Sequence, residues 1–98
     1  MSFVAISKIQ YPADLKEAIY AVGKNMIPIA KRQPGFISIA FHQTVNKNET
    51  MMYWEWASEQ DHLNCMKSDD WRTIMDLSTS LFHSEGVELS IESYERLD

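Results

Sequence analysis

The chain has 98 residues and a mass of 11.4 kDa, with 14 acidic and 9 basic side chains, a net charge of -5 and 45% hydrophobic residues. That is the composition of an ordinary globular domain; no run approaches the roughly 18 consecutive apolar residues of a membrane helix, and a pI near 5.1 argues against a nucleic-acid partner. One cysteine, Cys65, permits neither an internal disulfide nor a cysteine-based zinc site, and Met1-Ser2-Phe3-Val4-Ala5-Ile6 lacks the basic region of a signal peptide, so a single cytoplasmic domain over residues 1–98 is expected, with no membrane partner.

Small size sharpens the reading. A domain of this length buries only about 60–65% of its unfolded surface, so its core is thin. The sequence nevertheless holds three Trp, four Tyr, four Phe and six Met. A ligand pocket or a partner subunit is expected to cover part of that apolar surface.

Phe3 to Gln10 mixes β-branched and aromatic residues and reads as a strand, with Val4 and Ile6 on one face and Phe3, Ala5, Ser7 and Ile9 on the other. Tyr11-Pro12-Ala13-Asp14 breaks the strand and opens a helix. Leu15, Ile19, Val22, Met26 and Ile29 then recur at spacings of four and three, the apolar stripe of a helix. Pro28 is expected to kink or end it, and Pro34-Gly35 makes a turn.

Phe36 to Val45 reads as the second strand, with Ile37, Ile39, Phe41 and Val45 opposed to Phe36, Ser38, Ala40, His42 and Thr44. A hairpin at Asn46-Lys47-Asn48-Glu49 leads into a third strand, Thr50 to Ala57, where Met52, Trp54 and Trp56 oppose Met51, Tyr53 and Glu55. Ser58 with Asp61 forms a capping-box-like start for a short helix, and Ser68-Asp69-Asp70 starts another that carries Trp71, Ile74, Met75 and Ser78. Leu81-Phe82-His83 either continues that helix or forms a loop, and Val87, Leu89 and Ile91 alternate with acids in a fourth strand ending near Tyr94. The order β-α-β-β-α-β specifies an α+β, ferredoxin-like sandwich: a four-stranded antiparallel sheet with helices on one face. Its first three strands are apolar on both faces, so a homodimer packed sheet to sheet is expected.

Three segments carry a family resemblance: Arg32-Gln33-Pro34-Gly35-Phe36, Tyr53-Trp54-Glu55-Trp56-Ala57-Ser58-Glu59 and Met66-Lys67-Ser68-Asp69-Asp70-Trp71. Together the chain resembles the antibiotic biosynthesis monooxygenase family of the dimeric α+β barrel superfamily. The resemblance implies the same fold and dimer, and a range of activities from cofactor-free monooxygenases to haem-degrading enzymes. The haem-degrading branch carries Asn, Trp and an iron-ligating His where this chain has Ser7, Cys65 and Met75. Haem degradation is therefore not expected, and haem binding without degradation remains an alternative.

Cofactor-free oxygenation of a phenol or hydroquinone, which the resemblance implies, needs a dry aromatic cavity, a base and a hydrogen-bond donor, with no metal or flavin. His42, or alternatively His62, is the candidate base, and Tyr53 or Ser7 would orient a substrate oxygen. Trp54, Trp56 and Trp71 would wall the pocket with Cys65 and Met75. Each has a plainer role. Trp56, Trp71 and Met75 suit a core, Cys65 a small buried hydrophobe, and His62, beside Glu59 and Asp61, a solvated helix surface. A non-catalytic module binding a small aromatic molecule is the alternative. No His-x3-His or His-Glu-x-x-His spacing suggests a metal.

Overall fold

The computed structural model describes residues 1–98. The chain runs through β1 (Phe3–Gln10), α1 (Lys16–Lys31), β2 (Phe36–Gln43), β3 (Glu49–Trp56), α2 (Glu59–Lys67), α3 (Asp69–Phe82) and β4 (Glu88–Glu95). The strands pair antiparallel in the order β2-β3-β1-β4. This is the α+β ferredoxin-like fold that the element order specifies.

The registers sort every strand residue to one face. Phe3, Ala5, Ser7 and Ile9 of β1 stand opposite Trp56, Trp54, Met52 and Thr50 of β3. Ala5, Met52, Trp54 and Trp56 pack with Met26, Ile29 and Ala30 of α1, Cys65 of α2 and Trp71 of α3. This is the core, and it defines the helix-covered face. Val4, Ile6, Met51, Tyr53 and Glu55 take the other face because strand side chains alternate.

Sequence parity fails at one place. A bulge between Phe36 and Ser38 inserts Ile37, so Phe36 pairs with Trp56 and joins Ile39 and Phe41 on the helix face. Its ring meets the Trp56 indole edge-on at 5.8 Å. The strand also stops at Gln43, two residues before the expected Val45, and Asn46 enters the turn with φ of 71°.

Pro28 does not end α1, which runs on to Lys31. Proline forfeits one backbone bond there, only a turn from the helix end. Burial of Ile29 and Ala30 against the core outweighs that loss. At Gly23 a Cβ would stand 2.3 Å from the Phe41 ring, so glycine is what lets α1 press onto β2. Gly35, with φ of +82°, turns the chain into β2 where a side chain would strike Asp61.

Ser58 and Ser68 cap the two later helices, accepting from the amides of Asp61 and Trp71 at 3.2 and 3.3 Å. Leu81 and Phe82 continue α3, and His83 is its C-terminal cap. No helix is long and apolar enough to cross a membrane.

Candidate functional site

The core aromatic group is organised around Trp54. Its indole meets that of Trp71 edge-on with centroids 5.1 Å apart, which ties the start of α3 to the centre of the sheet. Its Nε1–H donates to the Ser7 hydroxyl at 3.3 Å, so the ring leans across β1. Ser7 is half-buried and Trp54 buried.

His62 lies at the other end of this group. Its ring is 5.3 Å from Phe3, 6.3 Å from Trp54 and 5.9 Å from Trp56, centroid to centroid. Burial pushes the imidazole below its ordinary range, and nearby Glu59 pulls only partly the other way. The expectation of a solvated His62 is therefore corrected: the ring is half-buried among three aromatics. The signal was available. His62 and Cys65 are three residues apart on one helix side, and Cys65 is buried.

Cys65 has its thiol pushed up to about 11 by burial, so it stays protonated and unreactive at neutral pH. Trp56 is wholly buried and its indole N–H has no partner. Trp71 is buried and Met75 is half-buried against the core. Ser7, Trp54, Trp56, Cys65, Trp71 and Met75 thus all lie on the helix side of the sheet.

His42 and Tyr53 do not. Tyr53 sits between Met52 and Trp54, and His42 pairs with Met51, so both side chains leave the opposite face. The expected single pocket, combining His42 and Tyr53 with the tryptophans, is corrected by strand alternation: the thickness of the sheet separates the two sets. His42 instead lines a hollow of about 200 Å³ at the outer edge of β2, with Tyr20, Lys24, Phe41 and Gln43. A cleft of about 480 Å³ lies at the hairpin end around Tyr11, Lys47 and Glu49, with no tryptophan in its lining.

One apolar surface remains beside Trp54. The helices rest over β2 and β3, while every residue of β4 is exposed. Leu89 and Ile91, each 51% exposed, stand opposite Ile9 and Ser7 on the helix side. Ser7, Ile9, Leu89 and Ile91 form the floor of a shallow lane, bounded on its β3 side by Trp54. Phe3 and its strand partner Glu95 form the end of the lane, where the Phe3 ring meets His62. An aromatic ring laid in this lane would meet apolar side chains below, an indole beside it and one hydroxyl.

Comparison with known proteins places this architecture. The model of the family described as antibiotic biosynthesis monooxygenase matches residues 2–77, from β1 into α3. The chain belongs to the antibiotic biosynthesis monooxygenase family. Among solved structures, Rv0793 from Mycobacterium tuberculosis superposes with a TM-score of 0.85 at 14% identity, covering 100% of this chain and 97% of that one. A conserved protein from Methanosarcina mazei gives 0.77 at 20% identity, with 94% and 91% covered. SnoaB from Streptomyces nogalater, a cofactor-independent oxygenase, gives 0.82 at 9% identity, with 99% and 94% covered. At these identities the likeness establishes the fold. No curated protein matches the chain in sequence.

Proposed function

We propose that this protein is a homodimeric oxygenase that holds a small phenolic or quinol-type molecule in the lane between Trp54 and β4 and oxidises it with dioxygen, without metal or flavin. The observation that carries the reading is the Ser7–Trp54–Trp71 arrangement beside the exposed Leu89 and Ile91. Family membership and the fold shared with a cofactor-independent oxygenase add support.

The chemistry asks little of the protein. The substrate loses its phenolic proton to a base, and the phenolate passes one electron to dioxygen, giving a substrate radical and superoxide. Their recombination forms a carbon–oxygen bond. Cleavage of the O–O bond then releases water and leaves a quinone, so one phenol and one dioxygen become one quinone and one water. Trp54 would shield one edge of the reacting ring, while the exposed Leu89 and Ile91 leave the lane open along β4. The Ser7 hydroxyl accepts from Trp54, which leaves its own proton free to hold the substrate oxygen.

Support for the dimer comes from the helix-free face. Val4, Ile6, Ala40, Met51 and Tyr53 share it, an apolar centre that a second copy would cover. His42 and Tyr53 then belong to the region between subunits rather than to the lane.

The test is oxygen uptake by the metal-free protein with 1,4-dihydroxynaphthalene. Uptake above the buffer rate that falls at least tenfold in Trp54→Ala supports the reading. Uptake no faster than in buffer, with no binding by calorimetry, overturns it.

A further inference from the structure

We propose that His62 is the proton acceptor for the phenol bound in the lane, a role that rests on the oxygenase reading given above. The argument is geometric first. A base for this chemistry must stand on the helix side of the sheet, beside the lane, and at least partly out of water. His42 fails the first condition. Cys65 is on the correct side, but its thiol would itself have to be ionised, and burial opposes that. His83 caps the far end of α3; of the acids near the lane, Glu59 and Glu95 are exposed to water, and Asp61 is engaged by the Ser58 hydroxyl. His62 alone meets all three conditions.

The ring occupies a definite place. Phe3 of β1, Trp54 and Trp56 of β3 surround it, and none of these carries charge. On α2 the neighbours that bear charge or titrate are Glu59, Asp61 and Cys65, and from β4 Glu95 stands opposite Phe3. Trp54 touches both His62 and the Ser7 end of the lane, so a ring lying against Trp54 has the Ser7 hydroxyl at one side and the imidazole at the other.

Partial burial lowers the pKa of the imidazole, which favours its neutral form with a free nitrogen lone pair. A base held below its ordinary range is a weak acceptor by itself. The phenolate and imidazolium it produces attract one another at close range, and that attraction offsets part of the weakness. In the step itself the phenol O–H bond breaks, its electron pair stays on oxygen, and the proton forms an N–H bond on the imidazole. The proton leaves with the water formed after dioxygen has been reduced.

The experiment uses the full chain and 4-nitrophenol, whose phenolate absorbs in the visible and which dioxygen does not oxidise. At about pH 6, where free 4-nitrophenol is mostly protonated, binding is followed by calorimetry and ionisation by absorbance. The expected result is a several-fold rise in the phenolate band on binding, lost in His62→Gln while binding persists. A band that survives in His62→Gln, or binding to the wild type without any band, overturns the assignment and leaves the lane intact. Absence of binding to the wild type overturns the oxygenase reading and the assignment together.

A measurement on the unliganded wild type needs no variant. Protonated imidazole quenches a neighbouring indole, so tryptophan fluorescence is expected to drop as pH falls, with a midpoint below the ordinary histidine value of about 6.5. A fluorescence signal that is flat across this range removes His62 from the tryptophans and contradicts the proposal.

Discussion

Trp54 and Ser7 are joined across β1 and β3 by a single hydrogen bond, with the indole N–H donating to the hydroxyl at 3.3 Å. Strand alternation puts both on the helix side, and the register sets Ser7 diagonal to Trp54, opposite Met52. The bond is what lays the indole over β1 and leaves one side of it facing β4. Ser7→Ala leaves that N–H without its partner in a buried ring, which costs about 1–3 kcal/mol. Trp54→Phe avoids the orphan donor and keeps the edge-on contact with Trp71. Chemical denaturation should therefore show Ser7→Ala combined with Trp54→Phe to be less destabilised than the sum of the two single variants; additivity would mean that the bond is absent in solution.

Gly23 offers a test of how closely α1 rests on β2. In a free helix Gly→Ala gains about 1 kcal/mol from propensity. Here the added methyl meets the Phe41 ring at 2.3 Å. Overpacking of this kind costs about 1–3 kcal/mol, so Gly23→Ala should lower the thermal midpoint. A raised midpoint would show that α1 does not sit where the core places it.

Glu55 supplies a pH signature. Although it stands on the helix-free face, it is buried, accepting from the hydroxyls of Ser2 and Ser38 and from Arg96 at 3.0 and 3.1 Å. The Ser2 hydrogen bond first, and then the Arg96 guanidinium, hold its carboxyl below the ordinary range. The unfolded chain then binds the proton more readily, so stability is present above about pH 4.5 and is lost as pH falls through the folded value. In Arg96→Ala the gap between folded and unfolded values narrows. Urea midpoints of variant and wild type should differ most near neutrality and converge in acid; a difference that grows in acid would contradict the assignment.

Ile6 tests the dimer. It stands opposite Tyr53 near the centre of the helix-free face. An aspartate there would place a charge in the apolar contact between two sheets. Sedimentation equilibrium should give twice the 11.4 kDa chain mass for the wild type and the single-chain mass for Ile6→Asp. A wild type that stays at the single-chain mass removes the second copy from the account.

The topology could be read from the sequence because its signals are local and periodic: alternation in the strands, the four-and-three spacing of α1, and the serine caps of α2 and α3. Parity also separated Trp54 from Tyr53, and hence the tryptophans from any partner on Tyr53's side. What the sequence does not carry is the Ile37 bulge, because one inserted residue leaves no mark in composition yet moves Phe36 to the core. Nor does parity say which face the helices cover, and that choice decides whether His42 or His62 can reach the lane. Pro28 shows the same limit, since tertiary burial of Ile29 and Ala30 overrides a local breaker. The bare lane along β4 follows from where three helices come to rest, a property of the assembled layers.

A crystal structure of the protein soaked with 4-nitrophenol tests the central claim most directly, because it locates the ligand instead of inferring it. The ring should lie between Trp54 and Ile91, with its oxygen within hydrogen-bond distance of Ser7 or His62. Density for the ligand on the His42 and Tyr53 side of the sheet, with the lane vacant, would contradict it.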